Sequence, residues 1–293
     1  MDNARNEGRR KVKSVTYNWQ DGKSLTIGER TLVMGILNVT PDSFSDGGLW
    51  NDKDRALAHM HEMVRDGADI IDIGAESSRP GFEPMSAADE IARLEPILEA
   101  VLAECPVPVS VDTFKADTAE FAAKKGVHIL NDIWGLQYAE EPGRMAEVAA
   151  RYQLPVVVMH NQNTKEYHKD IIEAMEDFFR ESIAIADRAG LKRENIILDP
   201  GIGFGKTPED NIRVLKRLKE MKTVDGTPYP VLLGTSRKSF IGHALGLEAD
   251  QRMEATGATC VMGIMSGAEI VRVHDVMPIA RMCRMTDAIL NID

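Results

Sequence analysis

Short apolar runs recur along the whole chain, and each stops at polar residues suited to chemistry. They occupy positions 31–38, 69–76, 107–112, 128–132, 155–160, 196–199, 230–236 and 269–275. Near-continuous apolar runs of this kind suit strands buried on both faces, as in a parallel sheet. Between them, apolar residues return at helical spacing: Leu57, Met60 and Val64; Ile91, Leu94, Leu98 and Val101; Ile171, Met175 and Phe178; Leu215, Leu218 and Met221. Strand alternating with helix predicts an α/β fold, a single (β/α)8 TIM barrel. In such a barrel the strand ends and the loops after them form one mouth, so the polar residues that close the runs should converge there.

Local signals refine the outline. Thr207-Pro208-Glu209-Asp210 reads as a helix start, with a capping hydroxyl, proline at the first helical position and acids at the positive helix end. Pro96, inside a helical pattern, predicts a kink or a late start. Residues 1–30 form an N-terminal extension with a short hairpin, 12–17 and 24–27 around Asp21-Gly22, expected to close the barrel floor. Residues 31–293 form the catalytic domain, with no internal repeat beyond the βα unit and no linker rich enough to separate domains.

A length of 293 residues exceeds the ~250 typical of one such barrel by about that extension. A net charge of −11 argues against nucleic acid as the main partner, so any anionic substrate must meet a local basic cluster. Cys105, Cys260 and Cys283 are widely spaced and odd in number, which suits a reducing cytoplasm rather than a disulfide framework. The basic N-terminal residues are followed by no apolar stretch, and no run elsewhere approaches the ~18 apolar residues of a membrane span, so neither secretion nor membrane insertion is expected.

The run ends carry the chemistry. After the first comes 38–48, a polar, glycine-ended segment of the kind that acts as a mobile lid. Glu76-Ser-Ser-Arg-Pro-Gly81 offers two hydroxyls and a guanidinium for phosphate oxygens. Asp112, Asn131, Asp132, His160 and Asp199 each end an apolar run. Singly each reads as a cap; together they predict a site for a polar heterocycle, since Asp accepts hydrogen bonds and Asn both donates and accepts. Gly201 and Gly203 lack the third glycine of a dinucleotide loop, because position 206 is Lys206. They suit a sharp turn close to a flat ligand. Lys238, Arg272 and His274 form the cationic cluster that an anionic ligand needs; the alternative is a structural ion pair with Asp275. No His-x-His follows the first strand, so a zinc pair has no anchor, whereas Asn38 and substrate phosphates could hold Mg²⁺.

The segments 34–48, 76–81, Asp112-Thr113, Asn131-Asp132-Ile133, 198–204, 235–239 and Arg272-Val-His-Asp275 together resemble the dihydropteroate synthase family over about residues 30–290. The resemblance implies that p-aminobenzoate displaces pyrophosphate from 7,8-dihydropterin-6-ylmethyl diphosphate. It also implies a homodimer and inhibition by sulfonamides. On this resemblance Asp112, Asn131, Asp199 and Lys238 hold the pterin, and Asn38 is the magnesium ligand. Ser78, Arg272 and His274 contact diphosphate; Phe44, Arg79, Pro80 and Ser239 shape the p-aminobenzoate pocket. Asp112, Lys238, Arg272 and His274 form the implied catalytic set. Where the family usually reads Gly-Gly-Glu-Ser-Thr-Arg-Pro after the second strand, this chain has Ala75 for the second glycine and Ser78 for the threonine.

Three rival readings share these residues. One is a methyltetrahydrofolate:corrinoid methyltransferase, another a Schiff-base aldolase using Lys238 or Lys206, and the third a pterin-binding protein without turnover. Met262, Met265, Met277 and Met285 fit either a dimer contact or, as methionines at helical spacing more often do, the core.

Overall fold

The computed structural model describes residues 14–39, 48–76 and 85–292. It opens with an antiparallel hairpin of β1 (Val15–Asn18) and β2 (Ser24–Ile27), which turns through Asp21-Gly22. The parallel strands β3 (Leu32–Asn38), β4 (Ile70–Gly74), β5 (Val109–Asp112), β6 (Ile129–Asp132), β7 (Val156–Met159) and β8 (Ile196–Asp199) then pair in chain order. A two-residue ribbon, β9 (Thr223–Val224) with β10 (Thr227–Pro228), precedes β11 (Leu232–Leu233) and β12 (Ile270–Val273). β12 pairs with both β11 and β3, and a parallel bridge from Leu198 to Val231 closes the eight parallel strands into the predicted barrel.

The helices form the outer ring. They are α1 (Gly48–Asp66), α2 (Ala87–Glu104), α3 (Ala116–Lys125), α4 (Arg144–Tyr152), α5 (Ile171–Ala189), α6 (Pro208–Lys216), α7 (Ser239–Leu245), α8 (Met253–Met265) and α9 (Val276–Leu290). Met60, Leu94, Leu98, Val101, Met175 and Leu215 are buried in the layer between helices and strands. Thr207 caps α6 as predicted, its hydroxyl accepting from the Asp210 N–H. Leu218 and Met221 are buried too, but in a short 3₁₀ turn after α6. Of the two outcomes expected at Pro96, the late start does not occur. α2 runs through it from a cap at Ser86, because the ring sits on the exposed face and leaves the buried stripe undisturbed.

Side chains alternate inward and outward along each strand, and this alternation separates the barrel interior into two zones. Toward the floor Leu32, Met34, Ile70, Ile129, Val157, Ile197, Leu232 and Ile270 pack together, with Tyr17, Leu25 and Ile27 of the hairpin beneath them. His128 ties the hairpin down: its Nδ1 accepts from the Val109 N–H at 2.9 Å, which leaves Nε2–H to donate to Asp21 at 3.0 Å. Toward the mouth the inward positions become polar.

All three cysteines are free and buried, and burial raises each thiol above its ordinary pKa. The core reading of the four methionines is wrong. Met262, Met265, Met277 and Met285 are exposed on the last two helices, between 40% and 61% of their surface.

Candidate active site

Asn38, Asp112, Asn131, Asp199 and Arg272 sit at or near the C-terminal ends of their strands, and His274 follows β12 directly. Two of them meet through a residue the sequence reading missed. Asp72 of β4 is fully buried, and its Oδ2 accepts from Arg272 Nε at 2.6 Å and from Asn131 Nδ2 at 3.0 Å. The other arm of the guanidinium, Nη2, donates to Asp112 Oδ2 at 2.7 Å. Arg272 therefore lies in a fork between two carboxylates. Its own affinity for the proton is lowered by burial but raised more by Asp72 and Asp112. The signal for Asp72 was its place in an otherwise apolar run, in phase with the inward-facing Gly74.

Burial pushes Asp112 up to about 7 against the opposing charge of Arg272, and the nearby Asp72 adds to the rise. Asp199 is raised by burial as well, with Lys238 opposing. Lys238 follows β11 and precedes α7; its ammonium donates to the Ile202 carbonyl and lies 4.7 Å from the centre of the Phe204 ring. Burial lowers it to about 8, with Asp199 opposing. Ser239, the first residue of α7, is exposed beside it. His274 is held by Ser236, whose Oγ is 2.9 Å from Nδ1 and accepts from the His274 N–H at 3.1 Å.

Two of the five strand-end residues read together as ligand-binding are supports. Asp132 accepts from the N–H groups of Trp134 and Leu136 at 2.8 and 2.6 Å, a turn cap. His160 faces Lys206 at 2.8 Å, and the Lys206 ammonium also reaches the carbonyls of Gly201 and Phe204, both at 3.1 Å. Burial lowers His160 well below its ordinary value and Lys206 to about 7. The lowered pKa of Lys206 would suit a Schiff-base nucleophile, but the side chain is 3% exposed and its ammonium is enclosed by these partners, which leaves no room for a carbonyl substrate. Asp275 pairs with Arg237 at 2.9 and 2.5 Å and not with Arg272 or Lys238. Behind Asp112 the chain buries another charged group that sequence reasoning missed, Lys115 with Glu76 and Glu90. Phe44, Ser78, Arg79 and Pro80 lie outside the described residues.

Asn38 fits the oxygen-donor part predicted for it. A Cβ built on Gly74 would lie 3.7 Å from Asp112 Oδ2 and 3.8 Å from Asn38 Oδ1, so an amide and a carboxylate oxygen flank a space that glycine leaves open. Among the described residues no three His, Cys, Asp or Glu side chains come close enough to hold a metal by themselves. The site thus offers a flat ligand two buried carboxylates, a carboxamide and two cations. That set has the donors and acceptors to suit a ring with adjacent N–H donors and carbonyl acceptors.

The comparisons with known proteins agree with this chemistry. The chain is 52% identical to dihydropteroate synthase of Bacillus subtilis (strain 168) over 268 residues, which cover 92% of each protein. It is 51% identical to that of Clostridium beijerinckii over 92% of this chain and 98% of the relative. Among solved structures, FolP (dihydropteroate synthase) of Clostridium difficile, crystallised in the presence of pteroic acid, superimposes with a TM-score of 0.86 at 51% identity, covering 91% of this chain and 99% of that one. The Xanthomonas albilineans enzyme with 4-aminobenzoic acid gives 0.86 at 36% identity, covering 93% and 97%. Residues 34–274 match the family described as pterin binding enzyme, and with relatives this close along nearly the whole chain, the protein belongs to the dihydropteroate synthases of that family.

Proposed function

We infer that the chain joins 7,8-dihydropterin-6-ylmethyl diphosphate to p-aminobenzoate, releasing diphosphate and 7,8-dihydropteroate for folate synthesis. The observation that carries this is the cluster of Asp72, Asp112, Asn131, Asp199, Lys238 and Arg272 at one barrel mouth, in which Asp72, Asn131 and Asp199 are buried and the other three half-buried. Asp199 accepts from the amino edge of the pterin, Lys238 donates to its carbonyl, and Asp112 and Asn131 take the opposite ring edge. The C–O bond to diphosphate breaks first, with its electron pair leaving on the diphosphate oxygen. The positive charge left on the methylene is stabilised by the Asp112 carboxylate, and the leaving anion by Arg272, His274 and Ser78. The arylamine nitrogen, held in a pocket shaped by Phe44, Arg79, Pro80 and Ser239, then forms the C–N bond and loses a proton. No side chain acts as nucleophile. Asn38, with Asp112 beside it, would hold Mg²⁺, which supplies positive charge to the diphosphate when bound.

Supporting a homodimer is the exposed methionine face of α8 and α9. No described helix is long and apolar enough to cross a membrane, and three free thiols accord with the cytoplasm. The decisive assay is diphosphate release by the purified protein with Mg²⁺ and the pterin diphosphate. Release that requires p-aminobenzoate, with equal dihydropteroate, is expected. Pterin binding without product would leave a methyltransferase or a binding protein.

A further inference from the structure

Lys206 has no part in the reaction just described, yet the fold buries its ammonium between two strand ends. The turn 201–205 after β8 lies directly on the segment that follows β7. A Cβ on Gly201 would fall 1.9 Å from the His160 carbonyl oxygen, and one on Gly205 would fall 2.7 Å from that of Gln162. Lys206 fastens the two together. An ammonium has three N–H donors, and here each has an acceptor: His160 Nδ1 on one side, and the Gly201 and Phe204 carbonyls on the other. The imidazole is itself fixed, with Phe178 edge-on at 4.9 Å and Tyr167 stacked at 6.2 Å between ring centres.

The same turn supports the pterin-binding pair. The Gly201 N–H donates to Asp199 Oδ1 at 2.7 Å, and the Ile202 carbonyl accepts from Lys238. A Cβ on Gly203 would meet the Lys238 stem at 3.1 Å, so the turn also sets the path of that side chain. The two carbonyls gripped by Lys206, those of Gly201 and Phe204, flank the Ile202 carbonyl that Lys238 contacts, and the first belongs to the residue whose N–H donates to Asp199.

We propose that Lys206 is a positioning residue for pterin recognition, holding the 201–205 turn against His160 so that Asp199 and Lys238 meet the ring in register. The proposal rests on the synthase reading for its ligand. A role in stability alone is a poor account of Lys206, because burying an ammonium, even with the Asp199 carboxylate in range, costs more than an apolar side chain of equal volume would. The turn also keeps other ties to the β7 side, since the Gly205 carbonyl accepts from Tyr167 Oη at 2.8 Å and from Gln162 Nε2 at 3.3 Å. Losing Lys206 should loosen the turn without unfolding it.

The test compares the parent with Lys206→Met, His160→Leu and His160→Asn. The readouts are pterin diphosphate affinity by fluorescence titration, KM for each substrate, and Tm. Lys206→Met should weaken pterin diphosphate binding and raise its KM by about tenfold, the scale of one misdirected hydrogen bond to a charged group. The KM for p-aminobenzoate should stay within about twofold, and Tm within a few degrees. His160→Leu should repeat the pterin defect, while His160→Asn, which keeps an acceptor near Nδ1, should restore most of the affinity. Parent-like pterin affinity in Lys206→Met overturns the proposal. So does a loss in which both substrates and Tm fall together, or an Asn variant no better than the Leu one. If the parent binds pterin diphosphate but releases no diphosphate with p-aminobenzoate, the synthase reading fails, and the binding comparison still decides the role of Lys206.

Discussion

Asp112→Asn should make this protein more stable and far less active, and the two effects follow from the same burial. The carboxyl sits in the barrel mouth with Arg272 at 2.7 Å but with Asp72 close by, and it is pushed from the ordinary 3.8 up to about 7. At ~1.4 kcal/mol for each tenfold, holding it ionised in the folded chain costs up to about 4 kcal/mol. Asparagine has the same shape and carries no charge. Its amide oxygen is a weaker acceptor for the guanidinium, so about half of that gain should survive, roughly 2 kcal/mol or ~5 °C in Tm at pH 8. The sign depends on pH. Below about pH 4 the carboxyl is protonated in both the folded and unfolded chain, and the variant gains nothing. Between about 4 and 7 the unfolded carboxyl ionises while the folded one resists, so the gain grows; above about 7 it is constant. Turnover should move the other way. Removing one preorganised charge opposite a developing cation costs ~3–4 kcal/mol, or about 10²–10³ in kcat. The assay is calorimetric Tm of both proteins from pH 4 to 8, with kcat by diphosphate release at pH 8. A variant less stable than its parent at pH 8, or one that keeps full turnover, refutes the reasoning.

Lys238 must be charged to donate strongly, and burial lowers it to about 8, so pterin affinity should fall as pH rises through about 8. Lys238→Met should abolish that alkaline limb and raise the pterin KM by roughly 10- to 100-fold, read from steady-state kinetics. Gly201→Ala places a methyl 1.9 Å from the His160 carbonyl at a residue with φ of +63°; a loss of ~2 kcal/mol or more is expected in denaturant unfolding, and a smaller loss would mean that the turn yields freely. His128 is held neutral by burial and uses Nδ1 as an acceptor, so its folded pKa lies below the unfolded value near 6.5. Its share of stability is complete above that value and is lost as pH falls below it, because the unfolded chain takes up the proton first. His128→Gln should flatten the Tm profile between pH 6.5 and 5; an unchanged slope would show that the floor histidine plays no part in acid sensitivity.

The barrel was legible in the sequence because a strand buried on both faces is apolar nearly to its end, and the chain repeats that pattern eight times, with Asp72 and Ser110 as interior exceptions. The mouth residues Asp112, Asn131, Asp199, Lys238 and Arg272 were legible for the same reason. What escaped was the pairing of buried charges across strands. Asp72 stands within an apolar run, and nothing local says that Arg272, two hundred positions later, reaches it. Asp132 and His160 hold the same kind of position as Asp112, and only three-dimensional contacts show that one caps a turn and the other receives a lysine. Pro96 does not mark the start of α2 because proline's missing hydrogen bond falls on the exposed face of the helix, where solvent can satisfy the freed carbonyl. The methionines of α8 and α9 misled because spacing cannot report which face of a helix is covered.

The three thiols at Cys105, Cys260 and Cys283 are sealed inside the fold, and their raised pKa values keep them protonated at neutral pH. Thiol-directed dyes and spin labels should therefore pass over the native chain while it stays folded. A single cysteine introduced on the exposed outer side of a helix would then carry the probe alone, without a cysteine-free background. Slow labelling of the unaltered protein would in turn count the moments when the barrel opens.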